Sequence, residues 1–460
     1  MIPPKPPARQ GRASLLRLVR DFRRDLLSAL PQRLYRAWMA EYRTPVSHSF
    51  LCNDPALITE ILRRHPENFP KSDRLRDGLA PLLGQSIFVT NGAVWRHQRR
   101  IIDPAFEGGR LREVFPALRA ATAAASDRIA ARADLGPFDI EPMTSHAAAD
   151  AIFRALFSIP IEDRTAAEVF AAFREHQETQ PVISLATLFP LPRWIPRPHQ
   201  RRTRKSAARI RGLITRLVDE RADAIAAGTA PDDLATRIMT TPDPETGQRF
   251  SRAEMVDQVA IFFLAGHETS ASALAWALYL LARAPEWQDR VASEAAGLSD
   301  QFSSLSTLRD TRAVFREAMR LYPPVPMFMR RAACPAQFRG RTVPKGSEIV
   351  ISPWHLHRHE RLWDRPDAFD PGRFDTENGR ACLQTAYLPF SAGPRVCPGA
   401  GFAMAEGVLM LATLCGRLRF TAADPEPVPV ARLTVRARDG ILLTVTPRIP
   451  TPARPSPPGQ

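Results

Sequence analysis

Cys397 sits in Phe390-Ser-Ala-Gly-Pro-Arg-Val-Cys-Pro-Gly399, directly before an apolar run over 400–414 that reads as a helix. A helix N-terminus stabilises negative charge, so a cysteine beside it leans toward thiolate, the form that ligates metals. A lone cysteine is usually a small buried hydrophobe, and the flanking glycines and arginine are what argue otherwise here. The other cysteines, Cys52, Cys334, Cys382 and Cys415, lie far apart, and no C-x-x-C pair exists. That argues against a disulfide framework and against a cysteine zinc site, and for a reducing compartment. A second group is Ala265-Gly266-His-Glu268-Thr269, where small residues adjoin an acid and an alcohol. Inside a helix the Thr269 hydroxyl competes for the carbonyl four residues back. Glu317 and Arg320 stand three apart on one helix face, an arrangement that on a surface contributes little.

The second group lies in the most apolar stretch of the chain, 259–282, whose only ionisable residues are His267 and Glu268. The stretch is long enough for a bilayer, but a charge near its middle would cost several kcal/mol in lipid. Ser251 and Glu254 form a capping box ahead of it, predicting a helix from Arg252 to about Arg283, roughly 45 Å long, at the centre of a large protein. Other Ala/Leu/Arg stretches read as helices broken by Pro and Gly. From about 325 to 390 proline is frequent and short β-prone runs appear, such as 347–352. The stretch 433–446 alternates around Asp439-Gly440 and predicts a hairpin. The expected organisation is one mainly α domain over 13–446, with flexible proline-rich tails at 1–12 and 447–460.

Lys plus Arg number 63 against 48 Asp plus Glu, a formal charge of +15. Nearly all of the excess is arginine without interleaved aromatics, so a solvated surface is the reading and no nucleic acid is expected. The run 201–211 reads as one face of a surface helix. In 13–30, Leu15, Val19, Phe22, Leu26 and Leu30 recur at helical spacing among Arg17, Arg20, Arg23 and Arg24. The helix covers the core, with peripheral membrane contact as the alternative. The start, MIPPKPPARQGR, does not read as a signal peptide, and a cytoplasmic location is expected.

The segment around Cys397 resembles the haem-binding signature of the cytochrome P450 family, Phe-x-x-Gly-x-Arg-x-Cys-x-Gly, at all five fixed positions. Chance would produce this in about one chain in ten thousand. Ala265-Gly266-x-Glu268-Thr269 resembles the family's oxygen-activating stretch, and Glu317-x-x-Arg320 its buried Glu-x-x-Arg pair. Phe369-Asp-Pro-Gly-Arg373-Phe374 resembles the loop that brings a third partner, Arg373, although Gly372 stands where the family often has Glu. The motifs occur in the family's order, and the resemblance spans about 40–445.

The resemblance implies a triangular helical domain with small β-sheets, and a monooxygenase using haem b. Cys397 would be the iron ligand. Gly393 would allow a turn and close approach beneath the porphyrin, and Gly399 would let the chain leave the sulfur without a clash. Arg395 would pair with a haem propionate, and Phe390 would shield the proximal side. Trp95 and Arg99 would reach a propionate, and so would Arg331, with Arg330 the competing choice. His355 would touch the haem edge, as an alternative to the pair His357-Arg358. Ala265 and Gly266 would leave room for O2, while Glu268 and Thr269 deliver protons. Phe262, Ala265, Val325 and Phe328, with residues from 70–93 and 165–195, would line an apolar substrate pocket. Electrons would come from NAD(P)H through a separate ferredoxin or flavoprotein reductase, and the protein would be a monomer. The Glu268-Thr269 pair favours O2 chemistry over a peroxide-using or isomerising relative.

Overall fold

In the computed structural model, residues 1–11, 21, 25–44, 47–107, 109–179 and 198–448 are described. The helices of eleven residues or more are α1 (Asp73–Leu83), α2 (Gly92–Phe106), α3 (Arg110–Ala130), α4 (Glu141–Phe157), α5 (Arg164–Thr179), α6 (Pro198–Ala226), α7 (Arg252–Ala282), α8 (Pro285–Ala295), α9 (Arg309–Leu321) and α10 (Ala400–Arg417). The α7 limits follow from its capping. The Ser251 side chain accepts from the Glu254 amide, and the Glu254 carboxylate accepts from the Ser251 amide. Its apolar residues point in all directions, so α7 is enclosed by α4, α6, α9 and α10. Trp276 stacks on Tyr322 at 3.9 Å and donates to the Val435 carbonyl.

The strands are short. The largest sheet pairs β1 (Met39–Thr44), β2 (Ser47–Cys52), β7 (Glu348–Ile351) and β4 (Phe328–Arg331), in that spatial order. Small sheets of β10 (Val435–Ala437) with β9 (Pro429–Ala431), and of β11 (Leu442–Pro447) with β3 (Phe138–Asp139) and β8 (Leu418–Ala422), fasten the C-terminal region to the helices, and β5 (Ala336–Phe338) pairs with β6 (Arg341–Val343). The hairpin expected over 433–446 is therefore corrected. Its two halves pair with different strands, β10 with β9 and β11 with β8 and β3, because each finds a better partner elsewhere.

The N-terminal tail is also corrected for its described part. The Phe369 amide donates to the Met1 carbonyl and the buried Tyr322 hydroxyl donates to the Pro4 carbonyl. Lys5 pairs with Asp367, and Arg9 exchanges backbone bonds with Leu30 and Gln32. Satisfying these buried groups holds residues 1–9 on the core. At the other end Pro447 belongs to β11 and Arg448 donates to the Arg417 carbonyl, so 447 and 448 are part of the domain. Residues 449–460 lie outside the described residues, as do Leu15, Val19 and Phe22 of the amphipathic stretch and Phe189 and Pro190 of the expected pocket. Leu26, in a short helix over Leu26–Ala29, and Leu30, the extended residue that follows it, are both buried. In 201–211, Arg202, Arg204 and Arg209 face solvent or its edge while Ala207 and Ile210 are buried.

Candidate functional site

Within α7, every residue from Met255 to Ala282 is buried except Phe262, Ala265, Gly266, Thr269 and Ser270. These five share one helix face, so a single stripe of an otherwise enclosed helix meets a hollow. Ala265 is exposed there, and the Thr269 hydroxyl donates to the Ala265 carbonyl at 2.5 Å, the competition expected of an in-helix threonine. Gly266 has a different reason from the one expected. A Cβ there would overlap the Ile152 side chain, so the glycine permits close packing of α7 on α4. Ser270 donates to Glu406 of α10 at 2.6 Å, which ties the stripe to the helix that begins just beyond Cys397.

The turn carrying Cys397 is closed by its own amide, which donates to the Phe390 carbonyl at 3.0 Å. Gly393 takes a φ of +70°, and a Cβ there would overlap the Leu62 carbonyl, so only glycine lets this turn seat on the segment around Leu62. Gly399 has an ordinary φ of −82°, and a Cβ there would rest 3.9 Å from the sulfur. The steric need expected of Gly399 is thus absent, and its amide is instead directed at the sulfur. Cys397 is exposed by area although protein surrounds it, as at the wall of a hollow. That enclosure raises its pKa, against the pull of the Gly399 amide, Arg99 and Lys71. The helix end alone therefore does not make the thiolate, which metal ligation would do directly.

Around this cysteine stand four cations from four segments. Arg395 lies over the Trp95 ring at 4.2 Å and donates to the Thr90 carbonyl and the Asn91 side chain. Arg99 donates to the Val396 carbonyl at 2.8 Å and pairs with Asp103. Lys71 donates to the Phe88 carbonyl. Arg330 is 4% exposed and, among the described residues, its side chain bonds only the Met329 carbonyl. Burial pushes Arg330 down to about 10 and Arg395 down to about 9, where Arg330 and Arg99 add repulsion, and Lys71 falls as well. Among the described residues no carboxylate pairs with Lys71, Arg330 or Arg395. Buried cations so arranged are unfavourable unless an anion lies between them. A flat dianionic group such as haem, its carboxylates among these cations and its metal at Cys397, fits the chemistry of the donor set.

Two expected contacts move. Strand β4 alternates, so Arg330 turns inward while Arg331 turns out to pair with Asp73 at 2.7 Å, both half-exposed. His355 is buried against Tyr35 and bonded to Ser352, with burial pushing it down to about 3, so it belongs to the core. His357 and Arg358 are core residues too. The His357 ring accepts from the Leu388 amide, and Arg358 stacks over Trp354 at 3.9 Å. Lys71 escaped sequence reading, since a single Lys before Ser72 carries no signal of its own. Phe262 meets Phe106 at 5.7 Å, Phe328 lies under Arg330, and Val325 is 36% exposed.

Glu268 is buried and does not lie on the open stripe. Arg436 grips it with Nε and Nη2 at 3.2 and 3.0 Å, and Thr434 and Gln177 donate to it. Burial would raise its pKa, but the charge of Arg436 and the hydrogen bonds from Arg436 and Thr434 outweigh that and hold it below the ordinary range. Behind the cysteine loop, Glu317 takes Arg320 at 2.8 and 2.9 Å, Arg373 at 3.0 Å and the Asp370 amide at 2.9 Å. The remaining guanidinium donors meet the carbonyls of His357, Asp364, Arg365, Pro366 and Ala368. Every charge in this core is therefore satisfied.

A family model described as Cytochrome P450 matches residues 28–445. Cyclooctat-9-en-7-ol 5-monooxygenase of Streptomyces melanosporofaciens is 34% identical over 402 residues, covering 85% of this chain and 83% of the relative. Cyclooctatin synthase of the same organism is 32% identical, covering 90% and 88%. Cytokinin hydroxylase of Arabidopsis thaliana is 28% identical, covering 86% and 78%. The crystal structure of the cytochrome P450DA heme domain superposes with a TM-score of 0.79 at 23% identity over 98% of each chain, a likeness of fold. With its family model matched across nearly the whole length and relatives above 30% identity over most of both chains, this chain belongs to the cytochrome P450 family.

Proposed function

We propose that Cys397 would ligate the haem iron and that Lys71, Trp95, Arg99, Arg330 and Arg395 would hold the haem carboxylates. As a cytochrome P450 the protein is a haem b monooxygenase that receives electrons from NAD(P)H through separate redox partners. The net reaction is R–H + O2 + 2e⁻ + 2H⁺ → R–OH + H2O. The observation that carries the residue assignment is that no described carboxylate pairs with the inward cations Lys71, Arg330 and Arg395, beside an accessible cysteine in a closed turn. Bound there, haem supplies O2 binding and reduction. Thr269, whose own proton is committed to the Ala265 carbonyl, leaves its oxygen free to accept a hydrogen bond and hold a proton-carrying water. The Glu268 carboxylate, one residue away, relays protons to that water. Phe262, Ala265, Val325 and Phe328 orient a hydrophobic substrate and exclude water.

The substrate we propose is a largely hydrocarbon small molecule, in keeping with the cyclooctat-9-en-7-ol named for the first bacterial relative. We further propose a cytoplasmic monomer served by a ferredoxin or flavoprotein reductase. Among the described residues, Ala400–Arg417 is the one helix long and apolar enough to cross a membrane, and it is largely buried in the core. The test is the carbon monoxide difference spectrum of the reduced protein, expressed with a haem supply. A strongly red-shifted Soret band lost in Cys397→Ser is the expected result. A band at the position of histidine- or thiol-ligated haem would refute the ligand assignment.

A further inference from the structure

Three segments far apart in sequence meet at one guanidinium. Arg436 of β10 holds Glu268 of α7 by two contacts, and its third nitrogen lies 3.8 Å from Glu141, the first residue of α4. Glu141 also accepts from the Ala437 amide at 3.2 Å. Arg436 and Glu141 are each 13% exposed at the side chain and Glu268 is 7% exposed. Two carboxylates therefore share a single cation where water reaches little. With both ionised the group carries a net negative charge in a low-dielectric setting, so Glu141 and Glu268 compete for Arg436.

We propose that Glu141 is a positioning residue: by sharing Arg436 it sets how firmly the Glu268 carboxylate is held, and so makes proton delivery from Glu268 depend on pH. This rests on the reading of Glu268 as the acid of the site. Burial, with smaller pushes from Asp139 and Glu268, raises Glu141 to about 7 against the pull of Arg436 and the Ala437 amide. The other charged or titratable groups facing the cluster are Asp139 beside Arg436, His267 beside Glu268, and Arg174 beside His267. Burial pushes His267 down to about 4, so it stays neutral across the range concerned. Asp139 is fixed by the Glu141 and Ile441 amides. Below pH 7 Glu141 is neutral and Arg436 belongs to Glu268 alone. Above it the Glu141 carboxylate competes, and Glu268 is freer to leave Arg436 for the Thr269 side of the helix.

The experiment compares wild-type holoenzyme with Glu141→Gln and Glu268→Gln. It reads product formed per NAD(P)H consumed, and thermal unfolding, both against pH from about 6 to 8. In the wild type the coupling ratio rises through pH 7, while in Glu141→Gln it stays at the low-pH level. Unfolding supplies a readout independent of turnover. Glu141 has a raised native pKa, so its contribution to stability falls as pH rises from the unfolded value through about 7. The difference between wild type and Glu141→Gln isolates that step. Glu268→Gln frees Arg436 for Glu141, so in that background the step moves to lower pH. A Glu141→Gln enzyme that keeps the wild-type coupling step, or a melting step that Glu268→Gln leaves in place, overturns the proposal. Should Glu141→Gln fail to fold, the melting step compared between wild type and Glu268→Gln decides it. Unchanged coupled turnover in Glu268→Gln would instead sink the reading of Glu268 as proton donor, while the melting shift still reports on the shared arginine.

Discussion

Replacing Arg330 by Met separates stability from cofactor retention. Arg330 is 4% exposed and spends one hydrogen bond on the Met329 carbonyl. Burial lowers it to about 10, which corresponds to roughly 3 kcal/mol against the charged form in the haem-free fold. Methionine fills similar space without that charge, so the haem-free protein gains up to about 3 kcal/mol. At roughly 2.1 cal/mol/K per residue, the 460 residues have an unfolding entropy near 1 kcal/mol/K, so the unfolding midpoint rises by about 3 °C. The holoenzyme behaves oppositely. Losing one charge-assisted bond to a propionate costs about 1.5–3 kcal/mol, or roughly 10- to 100-fold faster haem loss. Calorimetry of haem-free protein and haem transfer to a scavenger protein read the two effects. Arg331→Met is the control, since its exposed pair with Asp73 is worth at most about 1 kcal/mol. Unaltered haem loss in Arg330→Met, or accelerated loss in Arg331→Met, would refute the inward placement of Arg330 as the source of the effect.

Glu317→Gln leaves Arg320 and Arg373 facing an amide instead of a carboxylate, and calorimetry should show about 3–5 kcal/mol of lost stability together with reduced haem content. Gly393→Ala meets both a positive φ and the Leu62 carbonyl, so the turn under Cys397 shifts; loss of more than about 2 kcal/mol in denaturant unfolding, with a weakened carbon monoxide band, is expected. Glu406 is buried with one oxygen unpartnered, and burial raises it to about 8. A carboxyl with a raised native pKa favours folding least at high pH, so stability falls as pH climbs from the unfolded value through 8. Glu406→Gln flattens that slope in thermal melts.

Some features were readable in the chain because their causes are local. The capping box of Ser251 and Glu254 starts α7 through bonds made within one turn, and the Thr269 hydroxyl reaches its own helix. The Cys397 turn closes on Phe390 seven residues earlier. The partners of Glu317 were expected from a motif resemblance, since the Arg373 loop lies 56 residues away.

What tertiary structure decided is which way a side chain faces when two neighbours compete. Arg330 and Arg331 are indistinguishable by composition. The pairing of β4 with β7, which exists only in the folded sheet, turns one in and the other out. His355 was drawn into the core by Tyr35, some 320 residues earlier, and the hairpin over 433–446 was split because each half found a strand elsewhere. Glu268 looked like a lone acid in an apolar helix. Its counter-charge, Arg436, lies 168 residues on, and the competitor Glu141 lies on the other side in sequence. Residue type and short spacing determined the chemistry this protein carries, because those interactions close within a turn or two of chain. The occupants and charge balance of its buried sites follow from long-range packing, where desolvation makes each unpaired group costly enough to select its partner.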